Sequence, residues 1–308
     1  MREPGVRRFW WVAALLGVTA AWGAAFPVVK CALERCSDIR GGLGLDSVDR
    51  PTEPLLFLSL RFAIAAVVVG AASIPMLRRL TRRQVIVGCG IGLALCAGYV
   101  FQTFGLERTT ASNAGFLTGL YVVLTPLLGA VVLRKLPAGS TAAGAVIAFA
   151  GLLLIASPTG VRIGLGDGLV VVCAFCFAIH FLLLGRFAGS APLAALVTLQ
   201  LGVTAVVTGL LSVATERAPI PTESGIWVAI LATAILATVF AFFIQTGAQR
   251  FIPPSRTAVI LTMESPMAAL FGFLMLNERL TARGWIGGGL IVAGMLVAEL
   301  MAPAKEEV

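Results

Sequence analysis

Charge and histidine are what this sequence has least of. Only 12% of the 308 residues are charged, and one is a histidine. A soluble chain of this length carries about 25% charged residues, so an ordinary globular enzyme is excluded at the outset. A single histidine also excludes a histidine-cluster metal centre. Cys89, Cys96, Cys173 and Cys176 lie inside apolar runs, and Cys173 and Cys176 lack partners at zinc-ligand spacing. The Gly88-Cys-Gly90-Ile-Gly92 stretch has no Walker lysine and sits inside an apolar run, so no nucleotide and no other cofactor is expected. The net charge is +8, yet no basic run interleaves with aromatics, and nucleic acid is not an expected partner. Long polar stretches are missing as well. Residues 31–54 form the one sizeable polar segment, which leaves no room for a soluble catalytic domain.

What the chain does have is apolar length. It is 58% hydrophobic, with 34 glycines and a mean hydropathy of +0.97. Glycine at that level suits close packing of membrane helices. Runs of about 20 apolar residues cross a bilayer as helices. Ten such runs are read at 9–30, 55–76, 84–104, 110–133, 138–157, 166–186, 192–213, 225–247, 256–276 and 282–302. Barrel strands are shorter and alternate polar with apolar residues. The expected fold is therefore an all-α membrane protein with ten transmembrane helices. Arg7-Arg8 and the following run imitate a secretory signal, with Ala24-Ala25 as a mock cleavage site, but the run is too long for a signal core. The cluster Arg78-Arg79-Leu80-Thr81-Arg82-Arg83 marks a cytoplasmic loop. An even number of spans then places both termini in the cytoplasm. The 31–54 loop lies outside, where Cys31 and Cys36 are either a disulfide or two free thiols.

Shifted by 143 positions, the chain partly matches itself. Gln102-Thr103 falls on Gln245-Thr246, Gly129 on Gly272, Gly144 on Gly287 and Ala150-Gly151 on Ala293-Gly294. The same shift pairs Tyr121 with Glu264 and Leu133-Arg134-Lys135 with Leu276-Asn277-Glu278. Five spans per unit is an odd number, so the second unit enters the membrane from the opposite side. Residues 1–157 and 158–308 are thus expected to be two inverted repeats, an architecture of secondary transporters with the substrate site near the midplane.

Particular segments then become specific. They are Ala21-Trp22-Gly23-Ala24-Ala25-Phe26-Pro27, Leu60-Arg61-Phe62, Gly98-Tyr99-Val100-Phe101-Gln102-Thr103 and Thr110-Ala111-Ser112-Asn113-Ala114-Gly115-Phe116. In the second half they are Gln245-Thr246-Gly247-Ala248-Gln249-Arg250, Glu264-Ser265-Pro266 and Asn277-Glu278-Arg279-Leu280. In their order and spacing the chain resembles the drug/metabolite transporter superfamily, and within it the EamA family. The resemblance spans nearly the whole chain. It implies ten helices in two EamA repeats and the movement of small metabolites or drugs.

Glu264 is the leading site residue. A carboxylate at membrane depth costs several kcal/mol and needs a protein-lined or watery interior. It is read as binding a proton, a cation or an amine, or as a structural carboxylate. Pro266 frees the Thr262 carbonyl for a polar lining, or kinks the helix. Arg61 is read as an ion-pair or gating residue, with Glu264 as the candidate partner. His180 is a proton relay or a hydrogen-bonded packing residue. Trp22, Tyr99, Phe116 and Tyr121 form an aromatic cage or pack helices. Gln102 and Gln245 bind substrate, gate, or bridge helices. The leading function is a secondary transporter, an exporter of amino acids, their analogues or drug-like cations in a bacterial inner membrane. Its implied partners are a small-molecule substrate, the lipid bilayer and protons as coupling ion. An uncoupled facilitator, a membrane-embedded enzyme and a non-transporting scaffold are the alternatives. The enzyme ranks low, because one histidine and one mid-membrane acid supply no catalytic constellation.

Overall fold

Backbone N–H and C=O groups find no water in hydrocarbon, so apolar runs must close their hydrogen bonds internally. Helices do this, and they are what the chain forms. The computed structural model describes residues 4–33, 52–132, 134, 136–155, 164–216, 219–277 and 282–301. Unbroken rods are α1 (Pro4–Leu33), α2 (Pro54–Leu77), α3 (Arg82–Leu106), α6 (Gly139–Ile155), α7 (Leu165–Phe187), α8 (Leu193–Thr215) and α13 (Ala282–Leu300). Three further rods are interrupted. One is α4 (Ala111–Thr118) with α5 (Tyr121–Val132), and another is α11 (Pro254–Leu261) with α12 (Glu264–Leu276). The third is α9 (Ser224–Ala234) and α10 (Ala241–Ala248), joined by a π-helical turn at Ile235–Phe240. No strand occurs among the described residues.

Nine of the ten rods are long and apolar enough to span a bilayer, and the tenth, Gly139–Leu154, is a shorter apolar helix. The chain is a multi-pass membrane protein by this measure. Helix starts follow local chemistry. Thr81 caps α3 by accepting from the Gln84 N–H, and Thr110 caps α4 by accepting from Asn113. Pro54 and Pro254 open α2 and α11, where no N–H is needed. Cys31 is disulfide-bonded at the end of α1, and Cys36 lies outside the described residues.

Contacts between helices come in symmetric couples. α6 lies along α13 and α2 along α8. α3 packs on α7 as α10 packs on α1, and α1 packs on α12 as α7 packs on α5. Exchanging the two halves reproduces this list, so the fold is an inverted pair of five-rod repeats. The interruptions obey the same register. The helix restarts at Tyr121 and at Glu264, which are 143 residues apart. The two non-glycine residues with positive φ, Arg134 at 53° and Asn277 at 55°, carry that spacing too.

Pro266 does not leave the Thr262 carbonyl free, contrary to the sequence expectation. The helix breaks before Glu264, so Pro266 falls in the first turn of α12, and Thr262 O accepts from Ser265 N at 3.0 Å. The phosphate-loop lookalike is packing: Gly88 and Gly92 face Leu199 and Gln200 of α8. Gly115 and Gly119 let the second broken rod cross the first, against Ala268 and Ser265, and Ser265 Oγ donates to Gly115 O at 2.9 Å.

The α6–α13 seam relies on glycine. A Cβ at Gly144 would stand 2.5 Å from Gly294 O, and one at Gly151 would stand 2.5 Å from Gly287 O. Both contacts are backbone and cannot yield. Gly294→Val should lower the thermal denaturation midpoint in detergent, with an overpacking cost of about 1–3 kcal/mol. Gly289→Val, at a position with nothing within 4 Å, should leave the midpoint unchanged.

Candidate functional site

The two helix restarts meet. Tyr121, 1% exposed, donates its hydroxyl to Glu264 Oε2 at 3.4 Å. Glu264 is 6% exposed and sits at the N-terminus of α12, where helix polarity favours a carboxylate. Residues related by the repeat are thus in contact, which places this pair at the centre of the symmetry.

Two adjoining chambers share Trp22, Tyr99, Gln102 and Glu264. The first runs beside Ala25, Phe26, Val29 and Leu106, and Arg61 also lines it. The second adds Tyr121, Phe177, His180, Phe181, Phe242 and Gln245. Its rings contact one another edge-on: Tyr99 with Phe177 at 5.3 Å, Tyr121 with Phe181 at 5.0 Å and His180 with Phe242 at 6.1 Å. Trp22 and Phe242 lie 5.7 Å apart.

Arg61 shares the first chamber with Glu264, but its hydrogen bonds go elsewhere. Nε donates to Thr238 Oγ1 at 2.7 Å, and Nη2 donates to Ala237 O at 3.1 Å. Trp22 Nε1 donates to the same Ala237 carbonyl at 2.9 Å. The π turn makes this possible. The Ala241 N–H, the α-helical partner of Ala237 O, bonds Thr238 O instead, and π turns cluster at functional sites. The guanidinium also lies 5.2 Å from the Tyr99 ring centre and 5.5 Å from that of Phe62, within cation–π range. Among the described residues no acid bonds this buried positive charge, which is held by a carbonyl, a hydroxyl and two ring faces.

His180, 1% exposed, bonds through Nε2 to Gln200 Oε1 at 2.9 Å. Gln245 Nε2 donates to Gln249 Oε1 at 3.4 Å, and Gln249 Nε2 donates to Phe181 O at 2.9 Å. Gln102 Nε2 donates to Thr118 Oγ1 at 3.2 Å. Of the residues singled out from the sequence, Glu264, Tyr121, Trp22, Tyr99, Gln102, Gln245, His180 and Arg61 all line the chambers. Phe116 does not: it is buried in the apolar core on α4. Sequence reasoning missed Phe177, Phe181 and Phe242, which read as ordinary apolar residues, and the Ala237–Thr238 turn. Among the described residues no group of three or more His, Cys, Asp or Glu could hold a metal ion.

Another buried charge is structural. Arg256, at the start of α11, bonds Glu299 near the end of α13, with an Nη2 to Oε2 distance of 2.6 Å and an Nε to Oε2 distance of 2.7 Å.

The EamA-like transporter family matches residues 48–157 and again 164–299. An uncharacterized transporter of Archaeoglobus fulgidus is 30% identical over 296 residues, covering 96% of this chain and 88% of the relative. A second from that organism is 25% identical over 292 residues, covering 93% and 97%. A protein crystal structure, 22% identical, superposes with a TM-score of 0.73 over 94% of this chain and 97% of that one, a likeness of fold.

The Thr238 hydroxyl accepts from Arg61 and donates to Thr233 O at 3.0 Å. Thr238→Val keeps the shape and removes both bonds. It should cost about 1–2 kcal/mol, read as a lower denaturation midpoint that a second change at Arg61, to Met, deepens by less than the sum of the single effects.

Proposed function

We propose that this chain, which belongs to the EamA-like transporter family, is a secondary transporter that moves small metabolites or drug-like cations by alternating access about Glu264. The substrate class is amino acids or their analogues, or hydrophobic cations, and the direction is export. The observation that carries the reading is the Tyr121–Glu264 contact. A buried carboxylate stands where the two repeats meet, and it lines both chambers. Ionisable groups inside a membrane mark substrate or proton paths far more often than packing. The halves 1–157 and 158–308 are the bodies that rock about this point. Protons are the coupling ion, with Glu264 exchanging a proton for the substrate's positive charge. The arginine-rich 78–83 segment faces the cytoplasm of a bacterial inner membrane, as do both termini. No step calls for an enzyme's bond-making chemistry.

A scaffold without transport is disfavoured by the polar lining. Glu264, Gln102, Gln245 and His180 converge on the chambers instead of being dispersed along helix seams. An uncoupled facilitator differs only in its response to a pH gradient, and one experiment separates the two. Purified protein in liposomes, loaded with a panel of amino acids and organic cations, should show flux driven by an imposed pH gradient. Glu264→Gln should abolish that flux. Tyr121→Phe, which removes one hydrogen bond and keeps the ring, should lower it several-fold without abolishing it. Full gradient-driven flux in Glu264→Gln would remove proton coupling from the reading.

A further inference from the structure

Two hydrogen-bond chains end in buried, unpartnered acceptors on residues that line the second chamber. Gln200 Nε2 donates to Leu196 O at 3.3 Å, so its Oε1 is the acceptor and His180 Nε2 the donor between them. His180 Nδ1 then carries a lone pair, and this buried atom has no partner. Gln249 Nε2 is committed to Phe181 O, so Gln249 Oε1 accepts from Gln245 Nε2. Gln245 Oε1 is left over, and it too is buried without a partner. Each chain is anchored on a backbone carbonyl, which fixes its direction. Each therefore ends in an unpartnered acceptor on a residue that lines the chamber.

Most of the remaining donors are already spent. Glu264 is an acceptor, and the Tyr121 hydroxyl is spent on it. Trp22 Nε1 is spent on Ala237 O, and one of the two Gln102 amide N–H groups on Thr118. The Tyr99 hydroxyl accepts from Arg61 and keeps its own proton to donate. Buried acceptors without donors are costly, and the rings around them offer π faces to a cation.

We infer that the second chamber is built for an ammonium group bearing N–H donors, held by Glu264, Gln245 Oε1 and His180 Nδ1 together. This deepens the transport reading, on which it rests for taking the chamber as a substrate site. It separates primary and secondary amines from quaternary cations, which carry the same charge and donate nothing.

The test is binding by calorimetry to the purified full chain at neutral pH, with three probes of matched ring: 2-phenylethylamine, its N,N,N-trimethyl derivative and 2-phenylethanol. The primary ammonium should bind about tenfold tighter than the trimethyl compound, the size of one lost hydrogen bond to a charged group. Gln245→Met should narrow that gap to about two- to threefold while leaving trimethyl binding unchanged. Equal binding of primary and trimethyl compounds overturns the inference in favour of ring faces and charge alone. Equal binding of the alcohol overturns it in favour of a neutral ligand. Saturable binding of none of the three overturns it as well, and Glu264-dependent flux of another solute would then leave the transport reading standing. Selective binding of the primary ammonium with no flux in liposomes would support the site and overturn transport instead. The wild-type comparison needs no variant, so a misfolded Gln245→Met cannot shield the inference.

Discussion

A carboxylate in hydrocarbon has no solvent to fall back on, and most of this architecture follows from keeping one there. Glu264 needs protein on every side, a donor for its oxygens and a helix end pointing at it. The break in the α11–α12 rod supplies the helix end, and Tyr121 supplies the donor. Rods that cross closely supply the walls. Glycines at 115 and 119 bring the two broken rods together, and those of α6 and α13 bring the last rods of both halves into backbone contact. In lipid there is no hydrophobic drive between helices, so such close packing is what holds the bundle.

Arg61 faces the same constraint with the opposite sign, and a different device answers it. Where Glu264 uses a helix N-terminus, Arg61 uses a carbonyl and a hydroxyl presented by the π turn at Ile235–Phe240. The corresponding stretch of the first repeat, in α3, is unbroken α-helix. The fold is thus symmetric in its rods and breaks, and asymmetric in the one turn that stabilises a buried cation. Trp22 bonds the same Ala237 carbonyl, so α1, α2 and the π turn are tied at one oxygen beside the cavity.

The rods, their number and the repeat register were legible in the sequence, because hydropathy runs and a constant shift survive any local detail. Gln102-Thr103 against Gln245-Thr246 carried the register that the breaks at Tyr121 and Glu264 then follow. Glu264 stood out because a carboxylate in an apolar run is costly wherever it lies. The π turn did not stand out, since Ile-Leu-Ala-Thr-Val-Phe reads as plain apolar helix and one inserted residue leaves no compositional mark. Arg61's partners were illegible for a related reason: a backbone carbonyl carries no residue identity. Phe116 and Phe242 are equally apolar on paper and both belong to the core, yet of the two only Phe242 also lines the cavity. Aromatic identity alone does not tell a wall from packing.

Symmetry also explains why the axis carries one carboxylate and not two. Equivalent positions near a two-fold meet, so a glutamate in both repeats would set like charges side by side, and such a pair cannot be fully ionised at once. With Tyr121 in the first repeat and Glu264 in the second, the axis holds a single acid and the hydroxyl that donates to it. One negative charge can be neutralised by one proton or by one monovalent cation, and not by both. Exclusive occupancy of that kind is the minimum that exchange between a proton and a charged solute requires. The single acid arises here from different residues at two positions that the fold brings into contact.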